Sequence, residues 1–152
     1  MHSKTSRGDE ATSIETRILE ARGGDAVVGS QTWDGGSVEE AARRFGLFSS
    51  PGIYFEVTAR EAEAVLGAVL NEHMALLNEL VPLEQAARLA AEFIGQFRNE
   101  PAKFYTNGEY GRPMDGWGHG PSFTPATEAT CDTGVLVVCP DRIACAWFMD
   151  ED

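Results

Sequence analysis

The sequence lacks the run of about 18 uncharged apolar residues that a membrane-spanning helix requires. The stretch from Met1 to Arg22 carries charges where a secretory signal needs an apolar centre. Basic residues are also scarce: the sequence has 12 Lys and Arg residues but 24 Asp and Glu residues, which gives a formal net charge of −12 at pH 7. Such an acidic surface repels phosphate backbones and anionic lipids. We therefore expect a cytoplasmic protein with no nucleic-acid or membrane partner.

Cysteine is scarce as well, with three residues near the C-terminal end, Cys131, Cys139 and Cys145. An odd, clustered set does not form a disulfide framework, so reduced thiols are expected, with a bridge between Cys139 and Cys145 as the alternative. Gaps of seven and five intervening residues lack the close pairing of structural zinc sites. We expect neither a metal nor a cofactor. The Walker, dinucleotide-binding, GxSxG and HExxH signatures of common enzymes are absent from the sequence.

The apolar content is sufficient for one folded domain of ordinary size, with 43% apolar and 9% aromatic residues. Residues 1–11 are polar and charged without an apolar period, which predicts a flexible N-terminal tail. The remaining residues, 12–152, show no internal repeat. We expect them to form a single domain.

Helix starts are marked by capping-box patterns, in which Ser or Thr precedes Glu by three residues. The sequence contains three of them: Thr12 with Glu15, Ser37 with Glu40, and Thr58 with Glu61. The third predicts a long amphipathic helix with an apolar stripe over residues 62–80 that includes His73 and Leu76. Pro82 predicts the start of another helix, with a stripe over residues 83–97.

Strands are predicted where β-branched and aromatic residues cluster. These clusters are centred near Val27, Tyr54, Phe104, Val137 and Ala146. The dipeptide 107–108, Asn-Gly, suits the two-residue turn of a hairpin, and Pro-Asp at 140–141 joins the last two strands. The pattern predicts an α+β fold in which a mostly antiparallel sheet packs against two central amphipathic helices and ends in a C-terminal β-hairpin.

Two single residues invite a catalytic interpretation. Asp132 begins the tripeptide Asp-Thr-Gly, which matches the short signature around the catalytic aspartate of aspartic proteases. An aspartate at a strand entry that accepts hydrogen bonds from nearby amides is the favoured alternative. His73 lies in the apolar stripe of the long helix, where a core histidine is favoured over a catalytic one.

The segment 105–123 gathers aromatic residues, glycines and single charged residues, and it suits an interface, a ligand pocket or a cap on the core in equal measure. One hypothesis is a small enzyme or ligand-binding domain with its pocket at the loop 111–130. There His119 would act as general base, oriented by Asp115 or Asp132.

The leading hypothesis is a small acidic binding or inhibitor protein that neutralises a basic protein partner. The terminal carboxylates follow a predicted strand directly, although a solvated tail is the alternative. An acidic face speeds the capture of a basic partner. In size and charge the chain is similar to small acidic bacterial immunity proteins, which implies a toxin domain as partner. The sequence also permits a homodimer. The expected partner contacts are Glu109, Asp115, Trp117, Asp150, Glu151 and Asp152.

Overall fold

The computed structural model describes residues 12–109 and 123–152, and in that part of the chain four helices and five strands form an α+β fold. All strand pairs are antiparallel, in the order β1-β5-β4-β3-β2. This architecture confirms the predicted fold class and the C-terminal hairpin. In chain order the elements are α1 (Ile14–Arg22), β1 (Asp25–Thr32), α2 (Val38–Arg44), β2 (Phe55–Val57), α3 (Ala59–Asn71), α4 (Leu83–Gly95), β3 (Lys103–Thr106), β4 (Cys131–Val138) and β5 (Arg142–Asp150).

The centre of the sheet is covered on both faces. On one face, α1, α3 and α4 pack against alternate residues of the terminal hairpin, such as Val137 and Phe148. On the other face, Leu136 and Trp147 pack with α2 and the segments next to β2 and β4. Strands buried on both faces are apolar along their whole length, which explains the continuous apolar runs of β4 and β5.

The helices begin where local chemistry predicts. Ser37 and Thr58 both form complete capping boxes at the starts of α2 and α3. At α1 the prediction of Thr12 was wrong by one residue, because the Ser13 side chain accepts from the Thr16 amide. Pro82 occupies the cap position immediately before α4. None of the described helices combines the length and apolar content needed to cross a membrane.

The predicted extent of the long helix was wrong, because α3 ends at Asn71 and leaves His73 and Leu76 in a connection. The reason is that Asn71 binds the returning chain: its carbonyl accepts from Leu80, and its side-chain amide donates to Val81. A turn of helix beyond Asn71 would break these hydrogen bonds, so the chain reverses.

The hairpin predicted at Asn107-Gly108 is absent from the described residues. Instead, β3 pairs with β2 and β4, and Gly108 bridges to Phe123. Asn107 is buried, so its side chain serves as a hydrogen-bonding group of the core rather than as an exposed turn residue. Tyr110, the predicted end of that hairpin, lies outside the described residues.

All three cysteines are free thiols, so Cys139 and Cys145 do not form the alternative bridge. Cys139 packs with the core on the α3 and α4 side of the sheet. Cys145 packs on the opposite side. The two side chains are therefore separated by the sheet.

A close approach between β4 and β5 explains Gly134. A Cβ atom added there would lie 2.0 Å from the Ala146 carbonyl oxygen and 2.6 Å from the Trp147 Cα. These are backbone atoms of the paired strand, which cannot rotate away as a side chain can. Only glycine fits at this position without shifting the hairpin.

We expect Gly134→Ala to lower the free energy of unfolding by about 3 kcal/mol, at the upper end of the usual cost of overpacking. Gly29→Ala in β1 is the matched control, because a Cβ there meets no atom within 4 Å. The control should change stability by less than about 1 kcal/mol. Urea unfolding of the three proteins measures the difference; equal stabilities would contradict the tight hairpin contact.

Candidate functional site

The first polar cluster surrounds Asp132, whose carboxylate is completely buried at the start of β4. The backbone amides of Ala126 and Thr127, together with the Thr127 hydroxyl, donate to it over 2.9–3.2 Å. The Asn107 side-chain amide and the Trp147 indole each donate over 3.0 Å. A buried carboxylate needs this number of donors to replace its hydration.

The other residues of the Asp-Thr-Gly tripeptide also have structural roles. The Thr133 hydroxyl donates to the Asn107 side-chain oxygen over 2.7 Å, and Gly134 permits the close strand contact. Asn107 donates in addition to the Thr124 carbonyl, so the network ties β3 and β4 to the segment before β4. The tripeptide thus has the geometry of the strand-entry alternative. Its aspartate has no exposed surface to offer a substrate.

The second polar cluster is a buried ion pair between Arg22, at the end of α1, and Asp150, at the end of β5. The two guanidinium nitrogens donate to the two carboxylate oxygens over 3.1 and 2.7 Å. Arg22 also donates through Nε to the Val69 carbonyl of α3 over 2.7 Å. The Met74 amide donates to Asp150 over 2.8 Å, and His73 Nε2 lies 3.8 Å from the same carboxylate. One ion pair therefore joins two helices, the last strand and the connection after α3.

Asp150 requires a correction to the predicted contact surface. It was expected in an exposed acidic tail, but only 5% of it is exposed, because it belongs to β5 and is paired with Arg22. Burial alone raises the pKa of Asp150, but the hydrogen bonds from Arg22 and the Met74 amide, with the Arg22 charge, outweigh it and hold the pKa below its usual value. Asp150 is ionised at neutral pH and is not available to a partner.

Exposed carboxylates surround this ion pair. Asp25 pairs with Met149 at the start of β1, and Thr130 donates to Glu151 just beyond β5. We call this end of the sheet, together with the adjoining connections, the acidic end. None of its exposed carboxylates takes part in the ion pairs between described residues. They are Asp25, Glu72, Glu79, Glu128, Glu151 and Asp152.

The connection after α3 presents apolar side chains at the same end. We call residues 72–79 the leucine loop, since Leu76 and Leu77 are 63% and 65% exposed there. An isolated bridge between Glu72 and Glu79 closes the loop. Sequence analysis missed it because Leu76 fits the apolar stripe of a continued helix. Leu77, four residues after His73, fits the same stripe, so the apolar period carries no signal of the loop.

The other sequence-predicted site residues do not form one described cluster. Glu151 and Asp152 are exposed as expected, and Glu109, the last described residue before position 123, is half-buried. Asp115, Trp117 and His119 lie outside the described residues. The enzyme hypothesis therefore has one described member, Asp132, and its carboxylate is already occupied by five groups of the fold.

The described residues offer no activated thiol. Burial, reinforced by the nearby Glu100, raises the pKa of Cys139 to about 11. Burial also raises the pKa of Cys131 and of Cys145. A thiolate is the reactive form, so these shifts oppose nucleophilic catalysis. Within the described ranges, no group of three or more His, Cys, Asp or Glu residues is arranged to hold a metal ion.

Comparisons of the chain with known protein families, curated proteins and solved structures found no match. Six exposed carboxylates and two exposed leucines lie together at the acidic end, and none of these carboxylates forms an ion pair with another described residue.

We expect Asp150→Asn to lower the free energy of unfolding at pH 7 by about 3–5 kcal/mol, because Arg22 would be left buried without a counter-charge. The pKa of Asp150 is lowered in the native state, so the carboxylate's stabilisation is complete above its unfolded pKa of about 3.9 and is lost as pH falls through the native pKa.

The difference between the wild type and Asp150→Asn should therefore shrink below about pH 4. Asp152→Asn, at an exposed position two residues away, is the control and should stay within about 0.5 kcal/mol of the wild type. Chemical denaturation at several pH values measures both effects. A stability loss that is equal for the two variants would contradict the buried ion pair.

Proposed function

We propose that this protein binds a basic protein partner through the acidic end and neutralises it, as an immunity protein does when it blocks a toxin domain. The observation that carries the proposal is the collection of six exposed carboxylates at one end of the sheet. Carboxylates are acceptors that match the guanidinium and ammonium groups of Arg and Lys. A net charge of −12 adds long-range attraction for the same partner.

The two ends of the sheet differ in charge, which gives the proposed contact a direction. Arg142 pairs with Thr32, at the end of β1 opposite Asp25, and it forms an ion pair with Glu100; Asp34 and Asp141 lie at the same end, so the charges there are mixed. Lys103 pairs with Val138, and Arg44 donates to the Thr32 carbonyl, so both lie toward that opposite end. Seven residue steps along β1 separate the two ends by about 23 Å, more than twice the Debye length at physiological salt. A basic partner is therefore attracted preferentially to the acidic end.

The fold also holds the carboxylates in place before a partner arrives. Asp25 and Glu151 are attached to strands paired in register, and Thr130 donates to Glu151 through its amide. Charges held by paired strands lose little conformational freedom on binding, so the cost of association is reduced. Carboxylates in such an array occupy the positions at which a basic site would otherwise bind phosphate. This is the mechanism of neutralisation that we propose.

The test uses the tagged wild-type protein to capture a partner from the source lysate, or to capture the product of the neighbouring gene. The capture is carried out at low salt and again at high salt. The retained protein is identified by mass spectrometry, purified, and titrated against the variant Asp25→Asn, Glu151→Gln, Asp152→Asn. Each exposed pair contributes about 0.2–1 kcal/mol, so we expect binding to weaken by about 3- to 150-fold and to depend less on salt.

The matched control removes three exposed carboxylates elsewhere, with Asp34→Asn, Glu56→Gln and Asp141→Asn. Both triple variants change the net charge from −12 to −9. A difference in binding between them therefore reports a local contact and not the overall charge of the protein. Binding to the captured partner should change by less than about threefold. Equal weakening by both triple variants would contradict a contact at the acidic end, and no partner captured at either salt would contradict the proposed function.

A further inference from the structure

The three most exposed large apolar side chains among the described residues lie in the connection between α3 and α4 or at the first residue of α4. Leu76, Leu77 and Leu83 are 63%, 65% and 68% exposed, whereas the next, Phe48, is 42% exposed. Leu76 and Leu77 lie in the leucine loop, beside the buried ion pair at the acidic end, and Leu83 is the first residue of α4. A single exposed leucine needs no explanation, but such a concentration indicates a contact surface.

The leucine loop is held in one conformation by its own hydrogen bonds. His73 Nδ1 accepts from the amides of Ala75 and Leu76, and the His73 carbonyl accepts from Leu77. The Met74 amide is fixed on Asp150. A loop that is ordered in the free protein presents its side chains with little further loss of entropy on binding.

The loop contains features that do not favour folding. Leu77 adopts a φ of 61°, the left-handed region in which a leucine is strained and Gly or Asn is favoured. Glu72 and Glu79 stand directly opposite each other in the bridge that closes the loop, and like charges in that arrangement repel. Departures of this kind from local preference concentrate at functional sites.

We propose that Leu76 and Leu77 form the apolar centre of the interface, and that the partner receives them in an apolar pocket bordered by Arg or Lys side chains. This inference rests on the proposed function. The charge pattern specifies the pocket, because a cation placed beside the leucines relieves the repulsion between Glu72 and Glu79. The arrangement matches the usual anatomy of protein interfaces, an apolar centre with a polar rim.

The decisive variant is Leu77→Asn, which removes apolar surface while placing a residue that tolerates the left-handed conformation. The free variant should be at least as stable as the wild type, so a loss of binding cannot come from unfolding. The probe is the basic protein that the wild type retains at low salt, identified and purified as described above. We expect Leu77→Asn to raise its Kd by about 10- to 100-fold with an unchanged salt dependence.

Leu19→Gln is the control, since Leu19 is 39% exposed on α1 and lies outside the leucine loop. Its Kd should stay within about threefold of the wild-type value. An unchanged Kd for Leu77→Asn, with binding still weakened in the triple variant Asp25→Asn, Glu151→Gln, Asp152→Asn, would overturn this inference and leave the proposed function standing. Failure of both variants to weaken binding, or the absence of any captured partner, would overturn both.

Two further measurements guard against other roles of the leucines. A lower Tm for the free Leu77→Asn protein, with an unchanged Kd, would mean that Leu77 supports the fold and would overturn the inference. Sedimentation of the free wild type tests a second copy of this chain as the occupant. A dimer that dissociates in Leu77→Asn would also overturn the inference, because the leucines would then be covered by the protein itself.

Discussion

The ion pair between Arg22 and Asp150 is the interaction on which the acidic end depends. It connects residues 128 positions apart and joins α1 to the last strand. The same two side chains bind the Val69 carbonyl in the last turn of α3 and the Met74 amide in the leucine loop. Two buried charges are costly unless every polar atom is satisfied, and here the surrounding backbone provides the remaining partners.

A second buried carboxylate organises the opposite side of the sheet. Asp132 collects donors from β5, from the residues after β3 and from the segment that precedes β4. The acidic residues of the chain therefore fall into two groups, one buried and one exposed. Asp132 and Asp150 are enclosed and define the fold, while Glu151 and Asp152 remain exposed. The enclosed pair positions the strands from which the exposed carboxylates extend.

The proposed interface combines two contributions, the charge of the carboxylates and the apolar contact of the leucines. Under this proposal, exposed carboxylates such as Glu151 would act at long range, where they would accelerate encounter with a basic partner and select it. Leu76 and Leu77 would act only in contact, where their burial would slow dissociation. The proposal gives a reason for the strained conformation of Leu77: its cost in the free protein would be offset when a partner covers the side chain.

The sequence by itself determined the fold class, the helix starts at Ser37 and Thr58 and the terminal hairpin, because each depends on residues that are close in the chain. The tertiary structure decided that α3 ends at Asn71 and that Asp150 is buried. An apolar period cannot show where a helix must stop for its neighbour to pack, and the burial of a charge depends on a counter-charge from a distant part of the chain. The sequence therefore predicts that Asp150, Glu151 and Asp152 form one exposed group, although folding buries Asp150 and leaves Glu151 and Asp152 in solvent.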